Sequence, residues 1–185
     1  MLDLENLPVP AGASPPTFPD ADVSYALHEC ELGTLVLAAS DGRLVASSFG
    51  TEDAVADRLA KRLSPRVLRQ PAKLDVARRE LDEYLAGRRA AFDLPVDLTL
   101  ATPFQRSVLA AIGTYAPYGT TTTYGALANG IGKARASQAV GAALRTNPCC
   151  VFVPCHRVVG AGGTLTGYAG GLAAKQVLLD LEARH

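Results

Sequence analysis

The segment Asn147-Pro148-Cys149-Cys150-Val151-Phe152-Val153-Pro154-Cys155-His156-Arg157 sets a thiol, an imidazole and a guanidinium side by side after a short apolar run. A cysteine nucleophile needs a stabilised thiolate and a base that takes its proton. His156 is a candidate base, Arg157 adds positive charge, and Pro154 ends the apolar run so that Cys155 leaves it. Neighbours in an extended chain point to opposite faces, so contact between Cys155 and His156 requires a turn or a bridging water. A buried structural cysteine is the commoner use of this residue, so the pair alone does not decide for catalysis. The remaining cysteines, Cys30, Cys149 and Cys150, form no CxxC pair, and no histidine lies at a metal-ligand spacing. Neither a metal nor a cofactor is expected.

Residues 149–153 predict a buried strand leading to this segment. Upstream, Thr102-Pro103 is an N-cap followed by proline at the first helical position, opening a helix over 103–114 that packs Phe104, Val108, Ala111 and Ile112. Pro117-Tyr118-Gly119 makes a turn. Two short helices, 124–129 and 136–145, are joined by Gly130–Arg135, an arrangement similar to a helix-turn-helix. The second carries Ala136, Ala139, Gly141, Ala142 and Ala143. Such small side chains suit either entry into a narrow groove or tight helix packing, and the pattern does not separate the two. Before the linker at 93–101, residues 23–92 read as a small α+β unit. Strands are expected at Val23–Leu27, Thr34–Ala39 and Leu44–Phe49, with Asp41-Gly42 as a hairpin turn. A helix capped by Thr51 ends at Leu63 before Pro65. A second, from Lys73 to Ala86, has Leu74, Ala77, Leu81, Tyr84 and Leu85 on its apolar face and Gly87 beyond its end. Residues 1–22 hold five of the twelve prolines and read as a loose tail.

The 185 residues are 48% hydrophobic and 19% charged, which excludes a wholly disordered chain. No apolar run is long enough to span a membrane, and the N-terminus lacks the basic and apolar regions of a secretory signal. A cytoplasmic protein with free thiols is expected. The formal charge is zero, but residues 1–97 carry 11 basic and 16 acidic side chains and residues 98–185 carry 7 and 2. Between Asp97 and Asp180 there is no carboxylate. That gap fits either a compositional bias or a surface that approaches phosphates.

Asn147-Pro148, then Pro154-Cys155-His156-Arg157-Val158, then Gly167-Tyr168-Ala169-Gly170-Gly171-Leu172 resembles the signature of the O6-alkylguanine-DNA alkyltransferases, or methylated-DNA–protein-cysteine methyltransferases. The resemblance runs without gaps from Thr102 to Glu182 and more loosely over the first half. It implies an α+β fold: a small ribonuclease H-like α/β domain followed by a mainly helical, winged-helix-like helix-turn-helix domain at 102–185. It also implies DNA repair by single-turnover transfer of a methyl or small alkyl group from guanine O6, with thymine O4 as a secondary substrate.

In that reading Cys155 accepts the alkyl group, His156 takes its proton through a water, Glu182 orients His156, and Asn147 orders the turn beneath. Tyr124 protonates guanine N3 and pushes the nucleotide's phosphate. Tyr168 and Val158, with Arg157 beside them, bind the base. Tyr124, Gly125, Lys133, Arg135, Gln138 and Arg145 meet the DNA, from the minor groove and with the base flipped out. The implied protein is a monomer whose partner is double-stranded DNA carrying O6-alkylguanine. Fourteen residues beyond Tyr124, Gln138 stands where the family usually has an arginine that fills the space left by the flipped base. Ala39 and Ser40 stand where some members have a metal ligand. A relative that recognises lesions without transfer is the rival reading. Such proteins typically replace the acceptor cysteine, which is intact here. A thiol hydrolase or peroxidase is a third reading that no residue suggests.

Overall fold

The computed structural model describes residues 21–184. All but the end of the proline-rich segment therefore lies outside the described residues. Its last residues are held: the Asp22 carboxylate accepts from Ser64 and Arg66, and its carbonyl accepts from Ser40.

Three antiparallel strands, β1 (Val23–Cys30), β2 (Gly33–Ser40) and β3 (Arg43–Ser48), form a meander, and β4 (Val67–Arg69) joins β1 in parallel. The strand order is β3-β2-β1-β4. Asp41 and Gly42 both have positive φ, 48° and 72°, which is the backbone a tight hairpin turn demands. Helix α1 (Glu52–Arg62) begins at Thr51, whose hydroxyl accepts from the Ala54 amide, and its C-cap is Leu63. Residue alternation along β2 divides the sheet's two faces. Val36 and Ala38 pack with Val55 and Leu59 of α1, whereas Leu35 and Leu37 join a larger core shared with the second half. β4, three residues with two exposed, was not expected, because its short polar context carries no alternation. The second expected helix divides into a 3₁₀ turn at Pro71–Leu74 and α2 (Asp75–Leu85).

The connection to the second half lies along the edge of β3. The Leu44 amide donates to the Pro95 carbonyl at 2.9 Å and the Asp97 amide to the Leu44 carbonyl at 2.8 Å. Helix α3 (Pro103–Tyr115) opens with a reciprocal capping box between Thr102 and Gln105 and buries Val108, Leu109 and Ile112. Helices α4 (Tyr124–Gly130) and α5 (Ser137–Arg145) pack on it and form the helix-turn-helix pair. A two-residue parallel ribbon, β5 (Thr122–Thr123) with β6 (Val158–Val159), precedes the closing helix α6 (Gly171–Glu182).

One expectation fails in an informative way. Residues 149–153 are not a strand. The Ser47 amide donates to the Pro148 carbonyl at 2.8 Å and the Cys150 amide to the Ser47 carbonyl at 2.9 Å, so the segment touches the β3 edge for one bridge only. Val151 then takes φ 71°, a costly conformation for a β-branched residue, and the Val153 amide donates back to the Cys149 carbonyl at 2.8 Å. The apolar run is buried as expected. It is buried as a reversal of the chain, and that reversal returns Cys155 toward Asn147.

Candidate active site

Cys155, His156 and Arg157 form one 3₁₀ turn. With three residues per turn, successive side chains leave it about 120° apart, which resolves the opposite-faces problem of an extended chain. Asn147 holds the thiol from behind. Its Nδ2 donates to Cys155 Sγ at 3.1 Å and to the Val153 carbonyl at 3.0 Å, and its Oδ1 accepts from the Cys149 amide at 3.0 Å. Cys155 is 6% exposed and His156 is fully buried. The Cys155 thiol is held below its usual pKa. The largest cause is a hydrogen bond from the Cys150 thiol; the Asn147 amide and the positive charge of Lys175 add to it, against the opposing effect of burial.

The last turn of α6 brings Glu182 to the same place. Its Oε1 accepts from His156 Nε2 at 2.6 Å and from the Tyr84 hydroxyl; its Oε2 accepts from Arg157 Nε at 2.8 Å and from the Gly119 amide at 3.2 Å. Burial alone would raise this carboxyl, but the donors, His156 foremost, bring it down to about 2. Burial keeps His156 below its usual pKa and therefore neutral. An ionised Glu182 beside a neutral imidazole assigns the proton to Nε2. The Nδ1 lone pair is left without a hydrogen-bond partner among the described residues.

Arg157 departs from expectation. It is buried, its Nε is engaged by Glu182, its Nη1 donates to the Ala116 carbonyl at 3.1 Å, and its guanidinium sits 5.6 Å from the Tyr118 ring centre. It anchors the carboxylate and does not line the base pocket, because a buried guanidinium requires a counter-charge and Glu182 is the one beside it.

A cleft of about 500 Å³ opens beside this turn, lined by Tyr124, Gln138, Gly141, Ala142, Arg145, Gly167, Tyr168 and Ala169. Tyr124 begins α4 and shares a 2.7 Å hydrogen bond with the Thr166 hydroxyl; Gly125 follows it on the same turn. Tyr168 stands edge-on to His156, with ring centres 6.3 Å apart. Phe49, at the end of β3, braces Tyr168 from the other side at 5.6 Å, and a side chain at Gly170 would meet the Phe49 ring at 2.7 Å. Val158 is buried in β6, and its carbonyl accepts from Lys175 Nζ at 2.7 Å.

Helix α5 presents its small residues on two sides. Val140, Ala143 and Leu144 pack inward, while Gly141 and Ala142 line the cleft with Gln138 and Arg145. Lys133, Arg135, Gln138 and Arg145 are all exposed, and none of the three cations takes part in an ion pair among the described residues.

Four participants were not singled out from the sequence: Tyr84, Phe49, Thr166 and Lys175. Tyr84 was read as an apolar face residue, which it is, but nothing local announces that its hydroxyl meets a carboxylate 98 positions away. Lys175 carried a usable signal. It lies on the helical stripe of Ala174, Leu178, Leu181 and Glu182, so the period of α6 places both charged groups on its buried face. Its Nζ also donates to the Thr166 carbonyl at 3.1 Å, tying the loop under Tyr124 to α6.

Known proteins resemble the chain over nearly all of its described residues. Residues 23–98 match the 6-O-methylguanine DNA methyltransferase ribonuclease-like domain, and residues 103–184 match the DNA binding domain of the same family. A methylated-DNA–protein-cysteine methyltransferase of Mycolicibacterium paratuberculosis is 40% identical over 163 residues, covering 88% of this chain and 94% of the relative. A protein of the same name from Methanosarcina acetivorans is 50% identical over 106 residues, 57% of this chain and 67% of that one. The crystal structure of Mycobacterium tuberculosis OGT in complex with DNA superposes with a TM-score of 0.74 at 36% identity, over 87% of this chain and 93% of that one. The two family domains follow one another along nearly all of the described residues, and the chain therefore belongs to the 6-O-methylguanine DNA methyltransferase family.

Proposed function

We propose that this protein repairs DNA by moving a methyl or small alkyl group from guanine O6 to Cys155 Sγ, once per molecule. The observation that carries the reading is a thiol held below its usual pKa, backed by a His156–Glu182 pair and set beside a cleft walled by a helix-turn-helix.

His156 accepts the Cys155 proton at Nδ1, through a water, and Glu182 stabilises the imidazolium that results. The sulfur attacks the alkyl carbon, the carbon–O6 bond breaks, and its electron pair passes to the guanine. Tyr124 supplies the proton that the departing base takes up at N3. Asn147 positions the sulfur, and Tyr168 with the Val158 backbone flanks the base. A base within a duplex does not reach the cleft, so the nucleotide flips out, at a cost of a few kcal/mol. The small outer residues of α5 let that helix approach the minor groove, and Lys133, Arg135 and Arg145 supply phosphate contacts with Gly125 and Gln138 nearby. Thymine O4 is a second acceptable leaving atom. No cofactor takes part, and the protein acts as a cytoplasmic monomer on double-stranded DNA. No helix among the described residues is long and apolar enough to cross a membrane.

Intact-mass spectrometry after incubation with duplex containing O6-methylguanine tests this. Wild type gains one methyl group, and Cys155→Ala gains none. No gain at stoichiometric lesion, with the lesion duplex still bound, would transfer the reading to recognition without transfer.

A further inference from the structure

Among the buried groups not yet given a fate of their own, Cys150 is the one with chemistry to offer. The reversal at Val151 folds it back toward Cys155, five residues on, and Cys150 bridges to Val153. One residue holds both sulfurs: the Cys150 thiol lies 3.6 Å from the Asn147 carbonyl, and the Asn147 side-chain amide donates to Cys155 Sγ at 3.1 Å. Each thiol is the largest single influence on the other's acidity. Cys149 is aimed elsewhere, toward the Leu44 carbonyl at 3.9 Å, and Cys30 is engaged at the β1–β2 turn. A cleft of about 270 Å³ between α1 and the end of α5 reaches Cys150, with Ser48, Arg58, Arg145 and Asn147 among its walls.

We propose that Cys150 is a resolving thiol for Cys155, so that a peroxide converts the pair into a reversible intramolecular disulfide that withholds the alkyl acceptor until a thiol reductant restores it. The inference rests on Cys155 being the acceptor. In the first step the Cys155 thiolate attacks the peroxide, whose O–O bond breaks; sulfur becomes a sulfenic acid, and the other oxygen leaves as water or an alcohol. In the second, the Cys150 sulfur attacks the sulfenic sulfur and hydroxide leaves, taking the Cys150 proton as water. With hydrogen peroxide, two thiols lose two hydrogens and two waters form. A dithiol returns both electrons.

The division of labour follows from charge. Cys155 is the more acidic sulfur and reacts first, while Cys150 is pushed well above its usual value, chiefly by donating to Cys155 and then by burial. Once Cys155 is a neutral sulfenic acid, the negative charge that held the Cys150 proton is gone.

The test treats the full chain with hydrogen peroxide and reads mass and methyl transfer before and after dithiothreitol, each variant being compared with its own untreated activity. Wild type is expected to lose two hydrogens, lose transfer, and regain both. Cleavage after Phe152 separates the two cysteines, so a linked fragment pair reports the Cys150–Cys155 bond. Cys150→Ser and Cys150→Ala are expected instead to add two or three oxygens at Cys155 and to regain no activity, whereas Cys149→Ala behaves as wild type. Recovery in wild type no greater than in Cys150→Ser, or a bond mapped to Cys149 and Cys150, overturns the proposal. Failure of untreated wild type to accept a methyl group would overturn the functional reading instead, since the mass change and the mapped bond do not depend on DNA.

Discussion

Replacing Tyr84 by phenylalanine removes one oxygen at the place where the two halves of the chain meet around Glu182. The ring stays: its contacts with Phe92, at 4.9 Å between centres, and with Tyr118, at 6.0 Å, need no hydroxyl. What is lost is a hydrogen bond to a buried carboxylate, worth about 1.5–3 kcal/mol. The variant is also spared the cost of burying a hydroxyl, so the loss falls toward the lower end, about 1.5–2 kcal/mol. For a chain of this size that is a drop of roughly 3–8 °C in Tm. Three donors remain on Glu182, from His156, Arg157 and the Gly119 amide, so the carboxylate stays ionised and His156 keeps its tautomer. Methyl transfer should fall less than stability does. Urea unfolding gives the free energy, and single-turnover transfer from O6-methylguanine duplex gives the rate. Glu182→Gln is the reference variant. It leaves the Arg157 guanidinium buried without its counter-charge, a change that costs about 3–5 kcal/mol, and it suppresses transfer. If Tyr84→Phe unfolds within about 0.5 kcal/mol of wild type, in the range of an ordinary surface substitution, the bond between the halves does not hold Glu182 and the reasoning fails.

Other outcomes follow from the same geometry. The Glu182 carboxyl lies at about 2 in the fold, below its ordinary value of 4.5, so its contribution is present above about pH 4.5 and is lost as pH falls toward 2. His156, held neutral by burial below its ordinary 6.5, acts in the same direction from a higher starting point: the unfolded chain binds its proton first, so stability already declines as pH falls below 6.5. Unfolding free energies that stay flat from pH 7 to pH 3 would contradict both assignments. Gln138→Arg should raise the transfer rate on duplex more than on single-stranded substrate, since a charged planar fork fills a vacated base position better than a carboxamide; an unchanged duplex rate counts against the role given to this position. Arg157 and Lys175 are buried, so the phosphate contacts fall to the exposed Lys133, Arg135 and Arg145, and log K against log salt should have a slope of about −3. A slope steeper than about −5 would mean that other basic residues carry the DNA.

Much of the site is written along the chain because its parts are local or periodic. The Pro154–Arg157 string, the Thr102 cap, the Asp41-Gly42 turn and the two short helices each depend on neighbours within a few residues. The stripe of α6 likewise places Glu182 on a buried face by spacing alone. Family resemblance then supplied the alkyl-acceptor role of Cys155 and the roles of Asn147 and Tyr124, which neither spacing nor composition contains. The charge count sharpened once burial was known, because two of the cations in the second half are interior and belong to the site's framework.

What folding alone decided is the set of contacts between residues far apart in sequence. The strand expected at 149–153 became a reversal because the edge of β3 accepts one bridge there and Val151 turns the chain toward Asn147. Arg157 left the base pocket for Glu182, and Tyr84 turned from a packing residue into a donor. The composition and period of a segment specify which side chains are removed from water. A buried charge must then be matched by whichever donors the packing brings within about 3 Å, and that matching is a property of the whole fold.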